Sequence, residues 1–61
     1  MFNKGDQVTH TDDNPKKVME VIRYDDEVKR VVCRWINLDS EEEGYFREEK
    51  LKLLRRKNSN V

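Results

Sequence analysis

The apolar residues of this chain fall in short runs separated by polar and acidic segments, and this pattern constrains the fold more than any other feature. In the clearest run, residues 28–36, Val31, Cys33 and Trp35 alternate with Val32 and Arg34. A period of two is typical of a β-strand, and the absence of alanine beside abundant valine favours strands over a helical bundle. Since the chain has 61 residues, it has room for one domain with a thin core.

The alternation predicts five short strands, and Asp, Asn, Pro and Glu residues mark the loops between them. We expect strands at residues 7–10, 17–24, 28–36 and 44–47, and a fifth within residues 47–56.

The segment at residues 47–56 is compatible with two structures. Its residues have high helix propensity, and Glu48 and Lys52 have the i, i+4 spacing of a helical ion pair. In contrast, Leu51 and Leu53 flank Lys52 in the alternation of a strand. We favour a single 3₁₀ turn followed by a strand, with a C-terminal α-helix as the alternative.

These elements together predict an all-β fold, a small SH3-like five-stranded barrel with a 3₁₀ turn before the last strand. Closing the sheet would protect the strand edges that a small open sheet exposes. The alternative is an α+β fold, a three- or four-stranded sheet with a C-terminal helix. We expect one domain over residues 1–56 and a flexible tail over residues 57–61. The predicted inward residues are Val8, Met19, Val21, Val31, Cys33, Trp35, Phe46, Leu51 and Leu53.

Composition argues against several classes of function. The 13 basic and 13 acidic residues cancel, whereas proteins that bind nucleic acid through phosphates usually have a basic excess. Cys33 and His10 are too few for a structural zinc site, and no phosphate-binding loop or catalytic triad can be recognised. We therefore expect a non-catalytic protein with no cofactor and no metal. The single cysteine and the lack of a long apolar segment favour a cytoplasmic protein that does not enter a membrane.

The leading functional hypothesis is a binding module that meets a protein partner, or a second copy of itself, through an outward apolar and tyrosine face. Strand parity places several apolar residues on that face, and a contiguous exposed apolar patch often marks an interface. A bend in the second strand would instead hide about half of them. The candidate partner-binding residues are Tyr24, Val32, Arg34 and Tyr45.

The alternative hypothesis is a small β-barrel that binds single-stranded nucleic acid. A basic run near the C-terminus could contact phosphates while a tyrosine stacks on a base. The same run could equally be a solvated strand end that offsets the acidic loop at residues 37–43. The candidate phosphate-contacting residues are Lys52, Arg55 and Arg56.

Four short motifs occur in a fixed order along most of the chain. They are F-x-x-G-D-x-V at residues 2–8, M-x-V at 19–21, C-x-W at 33–35, and F-x-x-x-x-L at 46–51. In this order the chain resembles the YodC-like family of small uncharacterised bacterial proteins. The resemblance implies an SH3-like β architecture and brings no established activity. The chain departs from the family before Pro15, where Asp13 and Asn14 replace the usual glycine pair.

Overall fold

The computed structural model describes residues 2–36 and 42–57. Five strands and one 3₁₀ turn confirm the predicted all-β fold, and the segment after Phe46 is not an α-helix. Residues 37–41 of the predicted acidic loop and residues 58–61 of the predicted tail lie outside the described residues. The strands are β1 (Gln7–His10), β2 (Met19–Asp25), β3 (Arg30–Trp35), β4 (Glu43–Phe46) and β5 (Leu51–Arg55), and the turn at Glu48–Lys50 precedes β5.

The strands form one antiparallel sheet in the order β4-β3-β2-β1-β5. The sheet curls, and this curl brings the Phe46 ring on β4 against the His10 ring on β1, with ring centroids 5.5 Å apart. It does not close, because β4 and β5 form its two edges and are not paired with each other in the described part of the chain. Two strands therefore keep an open edge where a closed barrel was expected.

The core lies on the concave side of the curled sheet and has the composition predicted from the alternation. Fully or nearly fully buried side chains come from β1, β2, β3 and β5, while the aromatic residues at the rim are half-buried. All nine predicted inward residues belong to this core. Val8, Met19, Val21, Val31, Cys33 and Leu51 are buried, and Trp35, Phe46 and Leu53 pack against them.

A β-bulge in β2 changes which side chains face the core. Val21 pairs with Cys33, but the next pair is Arg23 with Val32, so Ile22 is an extra residue in the ladder. One extra residue reverses the alternation. Tyr24 consequently lies on the core side and packs against the buried cluster. The prediction that Tyr24 faces outward is therefore wrong, and the predicted alternative of a bend in this strand is confirmed.

The third strand begins two residues later than predicted. Lys29 has φ of +57°, which places it in the turn between β2 and β3 rather than in the ladder. Asp25 supports this turn by accepting a hydrogen bond from the Glu27 backbone N–H through Oδ1 at 2.9 Å. An Asp side chain that bonds the backbone two residues later is a common turn device.

Candidate binding surface on the outer face of the sheet

The outer face of the sheet is charged rather than apolar. One residue from each strand lies in a single row across it, in the order Arg55, Gln7, Glu20, Arg34 and Glu43. Arg34 donates to Glu20 across the β2–β3 pair at 3.1 Å. Paired charges of this kind favour the register of neighbouring strands, and they leave the face hydrophilic.

Val32 does not belong to an exposed apolar patch. It points to the outer side, but its exposed fraction is 0%. Its register partners are Arg23 on β2 and Tyr45 on β4, and the Arg23 Nη2 donates to the Tyr45 Oη at 3.3 Å. This hydrogen bond joins the two side chains that flank Val32. Val32 is therefore not exposed to a partner, because the longer side chains of Arg23 and Tyr45 lie over it.

The other two candidate partner-binding residues remain on the outer face. Arg34 is exposed, and Tyr45 is 50% exposed on edge strand β4. They lie on neighbouring strands, since Val32 pairs with Tyr45 and Arg34 pairs with Glu43. The structure thus keeps Arg34 and Tyr45 together on the outer face, buries Val32, and places the partly exposed Tyr24 on the core side.

Two adjoining depressions form a trough along the outer face. The first has a volume of about 320 Å³, and the second has a volume of about 240 Å³. They share Glu20, so they are neighbours on the surface. Five cationic side chains and two carboxylates line them, which makes the trough basic although the whole chain is neutral. The cations are Lys4, Arg34, Arg55, Arg56 and Lys57, and the carboxylates are Glu20 and Glu43.

The candidate phosphate-contacting residues fall at different distances from this trough. Arg55 and Arg56 both line its first depression. Lys52 is also exposed, but it pairs with Thr9 further along β5 and does not line either depression. The structure therefore brings Arg55 and Arg56 together and leaves Lys52 beside them.

The buried carboxylate of Asp6 holds the backbone in place beside the first depression of the trough. Asp6 is 2% exposed, and its oxygens accept hydrogen bonds from the backbone N–H groups of Asn3 at 2.9 Å and Lys57 at 3.2 Å. Arg56 approaches the same carboxylate at 3.9 Å. The hydrogen bond from Asn3 is the main cause that holds the pKa of Asp6 below its usual range, with further contributions from Lys57 and Arg56 against the opposing effect of burial.

Sequence reasoning missed Asp6 as a structural residue, although the G-D pair of the first motif contains it. Gly5 has φ of +93°, a conformation that other residues adopt with strain. A Cβ atom on Gly5 would overlap the side chain of Lys57. Gly5 and Asp6 therefore form the turn before β1 and bind the backbone that follows β5. The G-D pair of the first motif thus has a structural explanation.

A half-buried aromatic group lies on the core side, away from the trough. The Trp35 and Phe46 rings meet edge to face with centroids 6.1 Å apart. Gly44 lies opposite Cys33, and a Cβ there would come within 2.5 Å of the Phe46 ring. The rings fill the space that glycine leaves. Trp35 is thus part of the core packing, as predicted.

The thiol of Cys33 is inaccessible. Its exposed fraction is 0%, and desolvation by burial raises the pKa of Cys33 to about 12. Because the thiolate is the reactive form, we expect native protein near pH 8 to react with a disulfide reagent orders of magnitude more slowly than protein unfolded in guanidinium. Absorbance at the reagent's released thiolate measures both rates, and similar rates would contradict the burial of this thiol.

No cluster of three or more His, Cys, Asp or Glu side chains suited to a metal ion occurs within residues 2–36 and 42–57. In the same ranges no helix is long and apolar enough to cross a membrane.

The fold and the surface define a small all-β protein with an open five-stranded antiparallel sheet and a basic trough on its outer face. Comparisons with protein-family models, curated proteins and solved structures found no match to this chain.

Proposed function

We propose that this protein is a non-catalytic, cytoplasmic SH3-like module that binds the phosphate backbone of single-stranded nucleic acid along the outer trough. The observation that carries the proposal is the concentration of five cations in a concave surface of an otherwise neutral chain. A basic groove that follows the backbone is the common means by which small β proteins hold single strands.

Several of these cations are available to a ligand. Arg34 forms an ion pair with Glu20, and Arg56 lies near the carboxylate of Asp6. Within residues 2–36 and 42–57, Lys4, Arg55 and Lys57 have no ion pair. Unpaired exposed cations can neutralise phosphates without first breaking an internal ion pair, so they contribute to binding at little cost.

The outward apolar face that first suggested a protein partner supports that hypothesis less well. Val32 is buried and Tyr24 belongs to the core side. Tyr45 remains exposed beside Arg23, where its ring could stack on a base. These placements favour the nucleic-acid hypothesis over an apolar protein interface. Kinship with the YodC-like family is a separate proposal, which rests on the four motifs.

Titration of labelled oligothymidylate and oligouridylate of about 20 nucleotides, followed by fluorescence anisotropy, tests the proposal. If the three unpaired cations each neutralise one phosphate, the association constant should fall about 20-fold between about 50 and 200 mM salt. No binding at the lower salt concentration would refute the proposed function.

A pair of matched variants tests the position of the site. Arg55→Gln removes an unpaired cation from the trough, so the salt dependence should weaken by about 0.7 unit of slope. Lys17→Gln removes a cation that is also exposed but lies outside the trough and should leave the slope unchanged. Equal effects of the two substitutions would mean that the trough is not the binding site.

A further inference from the structure

The two edge strands, β4 and β5, each have one side without a neighbouring strand in the described part of the chain. Such an edge presents backbone N–H and C=O groups that can pair with another strand. Edge pairing between copies is usually prevented by charged side chains, and like charges on two edges would repel each other. The charges on these two edges therefore decide whether they can meet.

The outward side chains of the two edges have opposite signs. Glu43 is the outward charged residue of β4, where it lies opposite Arg34; its carboxylate forms a 3.7 Å ion pair with Arg23 and is still 39% exposed at the edge. Lys52 and Arg55 are the outward residues of β5, where they lie opposite Thr9 and Gln7. An acidic edge can approach a basic edge, whereas two acidic or two basic edges cannot. The charges thus favour contact of β4 with β5 and oppose contact of either edge with itself.

Each edge also has an exposed apolar side chain. Tyr45 on β4 is 50% exposed, and Leu54 on β5 is 52% exposed. Leu54 is the extra residue of a bulge, since Gln7 pairs with Arg55 while Val8 pairs with Leu53. Burying these two side chains in one contact would add an apolar contribution to the pairing of charges.

We propose that β4 of one copy pairs with β5 of a second copy, so that the protein associates head to tail. Because the contact uses two different surfaces, every open assembly keeps one free β4 edge and one free β5 edge until a ring closes. The assembly is therefore a ring or a growing chain and not a two-fold dimer. The contact shares Arg55 and Tyr45 with the proposed nucleic-acid site, but it is tested without any nucleic acid present.

Light scattering after size-exclusion chromatography of the full chain measures the association. We expect the mass to rise above 7.4 kDa as protein concentration increases, and to rise less at high salt. A monomer at every concentration and salt condition would overturn the proposal.

Charge reversal tests the pairing of the two edges directly. Glu43→Lys gives one variant two basic edges, and Arg55→Glu gives the other variant like-charged residues at its β4 and β5 edges. Each variant alone should associate less than the wild type, while an equimolar mixture should associate, because each contact between unlike variants restores opposite charges at residues 43 and 55. Failure of the mixture to associate while the wild type does so would refute the edge pairing.

Controls separate this result from loss of folding and from the nucleic-acid site. Glu27→Lys and Lys17→Glu make the same charge changes at exposed positions away from both edges and should associate like the wild type. Circular dichroism verifies that every variant is folded. Nucleic-acid binding is measured on the Glu43→Lys variant alone, which keeps all five cations of the trough, so binding by this variant without association of the mixture would refute only the edge pairing.

Discussion

Replacement of Asp6 by asparagine is expected to lower the free energy of unfolding by about 1–3 kcal/mol, because a buried hydrogen-bond acceptor is exchanged for a donor facing an N–H group. Asp6 accepts from the backbone of both Asn3 and Lys57, and an asparagine amide can serve only one of them. A chain of 61 residues has a total stability of roughly 3–9 kcal/mol at the usual value per residue. Chemical denaturation therefore should show a large shift.

Asp12→Asn is the matched control for this substitution. Asp12 is exposed, and its ion pair with Lys50 is 3.7 Å long, so the same change should cost less than about 1 kcal/mol. If the two variants had equal stability, Asp6 would not hold the turn and the C-terminal strand together.

The stability should also depend on pH through Asp6. Folding lowers the pKa of Asp6 below its ordinary value of 3.8, so the unfolded chain binds more protons than the folded protein in the acid range. The contribution of Asp6 to the free energy of unfolding is complete above the pKa that Asp6 has in the unfolded chain. It is lost as the pH falls through the lower pKa that Asp6 has in the folded protein. The wild type should therefore lose more stability than Asp6→Asn below about pH 4. Parallel pH profiles of the melting temperature would contradict this assignment.

Replacement of Val32 by lysine is expected to lower the free energy of unfolding by at least about 2 kcal/mol. Val32 is completely buried between Arg23 and Tyr45. A lysine ammonium group could reach water only by displacing the hydrogen bond between those two side chains, and it would lie beside a second cation. Urea denaturation followed by Trp35 fluorescence measures the loss.

Val28→Lys provides the comparison, because Val28 is 50% exposed in the turn between β2 and β3. The same substitution there should change stability by less than about 0.5 kcal/mol. An exposed Val32, as strand parity alone suggests, would tolerate lysine equally well. Equal stability of the two variants would therefore show that the Val32 side chain is exposed.

The fold was predictable from the sequence because most of its information is local. The alternation of Val31, Cys33 and Trp35 identifies both β3 and its buried side. Leu51 and Leu53 keep the same period, and this period correctly outweighs the helix propensity around them. Such patterns depend only on which neighbouring residues are apolar, so a single sequence is enough to recognise them.

The candidate site was harder to predict because it depends on contacts between distant residues. Nothing local indicates that Asp6 meets the backbone of Lys57, which is 51 positions away. The burial of Val32 depends similarly on a hydrogen bond between β2 and β4. Whether the sheet closes also depends on long-range geometry. The sheet curls so that β4 packs against β1, but β4 does not pair with β5 in the described part of the chain.

The extra residue in β2 separates the sides of the later residues from their count along the chain. Because Ile22 has no partner in the ladder, deleting it would leave a regular ladder in which Arg23 still lies opposite Val32 and Tyr24 still lies opposite Val31. Arg23 would therefore stay on the outer side and Tyr24 on the core side. Among related chains, we therefore expect this one residue to be present or absent without a change in which side the following residues face.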